Sequence, residues 1–241
     1  MSEVKIRIKT HFSFSKSELR WIIITVLLMG IVLGFDDGLP KFEPSHWLFN
    51  LFNSILIAFL GVMTHISFQR VASLAKGYLL EFRPLNFGLL GGLVFGLATL
   101  GKFVFFVPFE LVFKHHEGLR LGRFRYGLNY FEMATVAITG PLSNLLLAVI
   151  FKAFFMSRPS FVLFNAVKFN VLFAIATLLP VPKAPGSYLL MGQPFLFFAT
   201  LALVLPLGLL LVFMPLSQAL LIGLLVAIMA SIWFFVRYEY Q

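Results

Sequence analysis

The chain has 241 residues, of which 60% are hydrophobic and 12% carry a charge. Because a soluble globular chain has about 25% charged residues, this composition excludes an ordinary soluble domain. The absence of cysteine excludes a disulfide framework and a cysteine-ligated metal. The formal net charge is +9, but the basic residues cluster beside apolar segments and form no stripe on a polar face. We therefore expect contact with anionic membrane lipids and no nucleic-acid partner.

The N-terminal segment, residues 1–20, is polar and basic. Its basic residues are Lys5, Arg7, Lys9, Lys16 and Arg20. The apolar run that follows has no small-residue cleavage site, so we expect a retained anchor and not a signal peptide. By the positive-inside rule this segment lies in the cytoplasm. Residues 21–241 are expected to form a single transmembrane domain.

Apolar runs approaching the roughly 20 residues needed to cross a hydrocarbon core occur six times. They cover 21–35, 47–69, 131–156, 160–180, 195–213 and 216–236. These runs predict an all-α polytopic protein of the cell membrane with about six transmembrane helices. An even number of crossings returns the C-terminus to the cytoplasm.

A further apolar stretch, residues 87–113, lies between the second and third runs. It is punctuated by five glycines and Pro108, and Lys102 lies near its middle. Backbone that is not continuous helix is tolerated at membrane depth only where protein or a water-filled cavity covers it. We expect a membrane-dipping hairpin packed on the bundle, with a tight pair of short helices as the alternative.

The segment from Gly61 to Gln69 reads GVMTHISFQ and has the spacing of a helical HExxH motif. In that motif two histidines one turn apart hold Zn²⁺, and the glutamate between them polarises a bound water. Here His65 occupies the first histidine position, Ile66 the glutamate position and Gln69 the second histidine position. Two further blocks follow, TGPLSNLLLA from Thr139 and NVLFAIATLLPVPKAPG from Asn170.

These three blocks, in this order, resemble the site-2 protease family of intramembrane zinc metallopeptidases. That family has HExxH on an early membrane helix, AGPxxN on a later one and NLLPxPPLDG as the source of the third zinc ligand. The segments 81–83, 103–113 and 122–124 are similar to the archaeal branch, so the resemblance covers roughly residues 51–190. It also implies that the 87–113 region threads a hairpin or strand able to pair with an extended substrate.

Transferred position by position, the resemblance places the zinc ligands at His65, Gln69 and Pro185, the general base at Ile66, and the asparagine before the LLP block at Thr177. Four of these five positions are changed. The packing positions of the motifs are kept, namely Gly140, Pro141, Asn144, Asn170, Pro180, Pro182 and Gly186. The resemblance therefore implies the family fold without its catalytic residues. The implied remnant cavity lies near the cytoplasmic leaflet and involves His65, Gln69, Asn144, Asn170, Thr177 and Pro180.

A zinc cofactor is not expected in this cavity. Catalytic zinc needs three protein ligands and an open position, whereas His65 and a Gln69 amide are a poor set and Pro185 has no ligating side chain. The adjacent His115, His116 and Glu117 point to different sides of an extended backbone, which favours a solvated loop.

Two polar residues of the predicted cavity have structural interpretations. His65 is expected to hydrogen-bond groups near Pro180, such as Thr177, in preference to Ser67. For Asn144 we favour an interhelical hydrogen-bonding role over one in holding a peptide backbone or an oxyanion.

The sequence thus predicts a pseudoprotease that binds membrane segments or serves as a subunit of a membrane complex. The alternative is an active intramembrane zinc metalloendopeptidase with displaced ligands. A channel or carrier is disfavoured, because the predicted spans contain few paired charges.

Overall fold

The computed structural model describes residues 3–39, 41–115 and 129–239. The described chain is mostly helical and contains one two-stranded sheet. Its elements are α1 (Glu3–His11), α2 (Lys16–Leu33), α3 (Pro44–Lys76), β1 (Tyr78–Pro84), α4 (Asn86–Ala98), β2 (Phe109–His115), α5 (Tyr130–Ala137), α6 (Thr139–Ser157), α7 (Phe161–Thr177), α8 (Pro185–Gly192), α9 (Pro194–Phe213) and α10 (Leu216–Glu239).

Four helices of the described chain are long and apolar enough to cross a membrane. They are Pro44–Lys76, Tyr130–Ser157, which joins α5 and α6, Pro194–Phe213 and Leu216–Arg237. These helices coincide with four of the six predicted runs. The run at 160–180 lies in α7, a shorter apolar helix, and the run at 21–35 lies in α2, whose first turns carry Lys16, Glu18 and Arg20. The mostly helical prediction is confirmed, and the count of six spans stays a prediction.

The region predicted as a hairpin forms a helix between two paired strands. α4 covers Asn86–Ala98, an extended segment follows, and β2 then pairs antiparallel with β1. The register joins Phe82 to Leu111. The extended segment turns back and packs along α4, since a Cβ at Gly88 would lie 2.0 Å from the Val107 carbonyl oxygen and one at Gly92 would lie 2.4 Å from the Phe106 ring. The region is therefore a hairpin of a helix and an extended segment and not a pair of short helices, and its depth in a membrane stays a prediction. The all-α prediction is wrong for the sheet. The reason is that strand pairing depends on a partner distant in sequence, which local glycine spacing does not reveal.

The outer edge of β1 is capped by a buried ion pair. Arg70 donates to Glu18 Oε1 and to the carbonyl oxygens of Leu80 (2.8 Å) and Ser13 (2.7 Å). Glu18 Oε1 also accepts from the backbone N–H of Phe82 (3.1 Å). Because these contacts occupy outward-pointing groups of the strand, the pair ties β1, the start of α2 and the segment after α1 to α3.

α3 is the central helix and packs against α2, α6, α7 and β1. Close approach to α6 and α7 depends on small residues. A Cβ at Gly61 would lie 2.6 Å from the Phe169 ring, and one at Gly140 would lie 2.5 Å from Nε2 of His65. Either distance is too short for a real contact, so glycine is required at both crossings. This packing buries the polar face of α3 against α6 and α7.

Candidate functional site

A small cavity lies where α3, α7, α8 and the start of β2 meet. Its volume is about 10 Å³. The lining residues are His65, Gln69, Pro108, Phe109, Leu111, Phe173, Thr177 and Pro185. His65 and Pro185, which the resemblance assigns to the first and third zinc-ligand positions, thus line the same cavity.

The helical spacing of α3 explains the placement of two lining residues. His65 and Gln69 are four residues apart, so both project from one face of the helix. Both are buried, with 3% and 0% of the residue exposed. Ile66 is fully buried in the apolar core and is absent from the cavity lining. The position that resembles the general base therefore contributes to packing.

A chain of oriented hydrogen bonds runs behind the cavity across three helices. Asn170 Nδ2 donates to the Ala166 carbonyl within α7 (2.8 Å), and Asn170 Oδ1 accepts from Asn144 Nδ2 (2.9 Å). Asn144 Nδ2 also donates to the Gly61 carbonyl of α3 (3.0 Å), and Asn144 Oδ1 lies 2.7 Å from His65 Nδ1. Asn144 is fully buried and hydrogen-bonds across helices, as its packing interpretation predicts.

The predicted partner of His65 is wrong. Its Nδ1 contacts Asn144, whereas the Thr177 hydroxyl donates within α7 to the carbonyls of Phe173 (2.9 Å) and Ala174 (3.1 Å). A threonine in a helix readily bonds to the preceding turn, which leaves Thr177 without a free proton for His65. Thr177 still lines the cavity, opposite α3.

Pro180, predicted to border the cavity, is exposed in the turn after α7 and does not line it. Sequence reasoning also missed the wall that β2 and the residue before it supply, Pro108, Phe109 and Leu111. Phe173 was missed as well, although its ring centroid lies 4.9 Å from that of His65. Phe173 comes three residues after Asn170 and four before Thr177, so all three lie on one face of α7. This spacing is the sequence signal that could have identified Phe173.

The segment from Val181 to Tyr188 closes the cavity and covers the outer edge of β2. The Leu111 N–H donates to the Lys183 carbonyl (2.9 Å), and the Tyr188 hydroxyl donates to the Leu111 carbonyl (2.8 Å). Lys183 also forms an ion pair with Glu110 (3.2 Å). Burial raises the pKa of Tyr188, so its hydroxyl stays protonated and remains a donor. Lys183 has a positive φ of 64°, which is unusual for a residue with a side chain.

The donor set of the cavity does not fit a catalytic zinc ion. One nitrogen of His65 is engaged by Asn144, the amide nitrogen of Gln69 donates to the Ala137 carbonyl (3.1 Å), and Pro185 has no ligating side-chain atom. Within residues 3–39, 41–115 and 129–239, no group of three or more His, Asp or Glu residues is placed to hold a metal. The predicted loop residues His116 and Glu117 lie outside the described residues.

Searches against protein-family models, curated proteins and solved structures found no match to this chain. The resemblance to site-2 proteases therefore depends on the sequence blocks alone.

Proposed function

We propose that the protein is a catalytically inactive relative of site-2 proteases that binds transmembrane segments of other proteins. In this proposal it is an integral protein of the cell membrane with six spans and both termini in the cytoplasm. The observation that carries the proposal is the common cavity of His65, Gln69, Thr177 and Pro185. These positions correspond to catalytic ones in the resemblance, yet here they supply no carboxylate.

The chemistry of the lining supports inactivity. A general base typically contributes about 10²–10⁴ in rate, and a metal-bound water contributes further electrostatic stabilisation. Ile66 offers no proton acceptor and is buried in the core. Gln69 and Pro185 offer no strong zinc ligand. In this proposal the lining does not cleave, and a client is bound elsewhere, at the strand β2.

The outer edge of β2 is the proposed contact surface for a client segment. Extended peptides bind exposed strand edges through backbone hydrogen bonds. Phe109 and Phe113 alternate with Glu110 and Val112, so their backbone groups face the same edge as those of Leu111. A carbonyl of the client strand would replace the Lys183 carbonyl as the acceptor for the Leu111 N–H. This exchange requires the Val181–Tyr188 segment to move away from β2.

Three proteins reconstituted in bilayers test the catalytic part of the proposal. They are the unmodified chain, a double variant with Gln69→His and Pro185→Asp, and a triple variant that adds Ile66→Glu. The unmodified chain is expected to leave single-span substrates intact. The double variant is a matched control, because it restores metal ligands without a general base.

Zinc content and chelator sensitivity are measured for each of the three proteins. Cleavage restricted to the triple variant supports the proposal. Because Ile66→Glu places a carboxylate in the core, circular dichroism must first show that the triple variant is folded. Chelator-sensitive cleavage by the unmodified chain identifies it instead as a metalloendopeptidase with displaced ligands.

Client binding is tested with synthetic single-span peptides that carry a photoreactive group at mid-span. Crosslinks are expected at residues 108–113. Leu111→Pro removes the outward N–H at an edge position, where proline is tolerated, and should abolish these crosslinks, whereas Leu111→Ala keeps the N–H and should preserve them. Equal crosslinking of the two variants contradicts binding at this edge.

A further inference from the structure

The cavity beside His65 presents hydrogen-bond acceptors with fixed orientations. Asn170 Nδ2 donates to the Ala166 carbonyl, which turns Asn170 Oδ1 toward Asn144. Asn144 Nδ2 then donates to Asn170 and to the Gly61 carbonyl, which turns Asn144 Oδ1 toward His65. A carbonyl oxygen only accepts, so the proton of a neutral His65 is on Nδ1. The other ring nitrogen, Nε2, is therefore an acceptor.

Gln69 lines the same cavity and supplies a second acceptor. Its Nε2 donates to the Ala137 carbonyl (3.1 Å). In the opposite amide orientation, Oε1 of Gln69 would face the Ala137 carbonyl oxygen, and two acceptors would repel each other. Its Oε1 is buried and has no hydrogen-bond partner among the described residues. The Gln69 residue is 0% exposed, so bulk water does not satisfy this oxygen. Buried polar atoms normally have a partner, so this oxygen points to a ligand.

The size and lining of the cavity define that ligand. A volume of about 10 Å³ corresponds to one water molecule. The Thr177 hydroxyl uses its proton within α7, so it adds a further acceptor and no donor. The ligand must therefore be small and must carry at least two hydrogens to donate.

We propose that one water molecule is bound in this cavity and donates hydrogen bonds to Nε2 of His65 and Oε1 of Gln69. It bridges two residues one turn apart on α3, at the position that the resemblance assigns to a metal ion. This water site does not depend on a client segment or on any catalytic activity.

Solid-state NMR of ¹⁵N-labelled protein in bilayers tests the proposal. The His65 ring is expected to show a protonated Nδ1, an unprotonated Nε2 and magnetisation transfer from an immobilised water. An Nε2–H tautomer, a doubly protonated ring or the absence of water transfer would each overturn it. These measurements on the unmodified protein decide the question even where a variant fails to fold.

Gln69→Leu provides a second readout, because it removes one acceptor at nearly constant size. The water signal is expected to disappear, whereas the His65 tautomer, which Asn144 sets, is expected to persist. Gln193→Leu is the matched control, since Gln193 also donates to a carbonyl, that of Phe131, outside the cavity. A water signal that survives in Gln69→Leu contradicts the assigned bridge.

Discussion

Replacing Arg70 with methionine is expected to lower the free energy of unfolding by about 3–5 kcal/mol, since it leaves the Glu18 carboxylate buried without a counter-charge. Only 5% of the Arg70 side chain and 7% of the Glu18 side chain are exposed, so solvent does not replace the lost partner. The substitution also removes the donors to the Ser13 and Leu80 carbonyls. Both losses weaken the attachment of the N-terminal segment to β1.

The reciprocal change and the double variant distinguish a buried pair from two independent contacts. Glu18→Gln keeps the shape but leaves the Arg70 cation unpaired, so a cost of similar size is expected. The double variant Glu18→Gln/Arg70→Met has no buried charge and should cost no more than the larger single change. The resulting coupling energy is about 3 kcal/mol, at the upper end of the range for residues in contact.

Equilibrium unfolding in mixed micelles, followed by circular dichroism, measures these differences. Arg83→Met is the control, because the Arg83–Glu81 pair is exposed and its loss should cost less than about 1 kcal/mol. Additive effects of the two single changes, or an Arg70→Met cost no larger than that of Arg83→Met, would refute the reasoning.

Three further outcomes are expected. Gly140→Ala should destabilise the protein by about 1–3 kcal/mol in thermal unfolding, because the new Cβ would lie 2.5 Å from His65 Nε2. Asn144→Leu should cost about 2 kcal/mol in the same assay, since it removes three interhelical hydrogen bonds worth about 0.6 kcal/mol each. The hydrogen bond from Lys114 lowers the pKa of Glu81 in the folded protein below its ordinary value of 4.5. The contact therefore stabilises the fold fully above about pH 4.5, and this stabilisation is lost as the pH falls through the folded-state pKa. Lys114→Met should therefore make the unfolding midpoint fall less steeply on acidification below about pH 5.

Each of these expectations has a contradicting result. Gly91→Ala is the control for Gly140→Ala, because no atom lies within 4 Å of a Cβ at Gly91. Equal destabilisation by the two changes would rule out a steric cause. If the Asn144→Leu protein is as stable as the parent, the hydrogen bonds of Asn144 do not stabilise the fold. A pH profile unaffected by Lys114→Met would show that Glu81 has no such linkage.

The elements that the sequence predicted are those whose signal is local. The apolar runs inside α3, α9 and α10 identify helices because hydrophobicity along one segment is sufficient. Similarly, the four-residue spacing of His65 and Gln69 places both side chains on one helix face whatever surrounds them.

The features that were missed depend on distant partners. Glu18 and Arg70 are 52 residues apart. In the sequence, Glu18 is one acidic residue within the basic N-terminal segment and Arg70 is one basic residue near the end of an apolar run, and nothing pairs them. The proton on His65 Nδ1 is set by Asn144, 79 residues away, whose orientation depends on how α6 crosses α7. Alternative partners such as Thr177 are equally polar in the sequence. Geometry alone decides between them.

The cover over β2 has a consequence for synthesis of the chain. The Tyr188 hydroxyl that caps Leu111 lies 77 residues later in the sequence. At a translation rate of about 5–20 residues per second, the outer edge of β2 remains without its cover for roughly 4–15 s after it is made. During that interval the nascent protein presents an unpaired strand edge to the insertion machinery and to neighbouring chains. Synthesis of α8 ends this period of exposure.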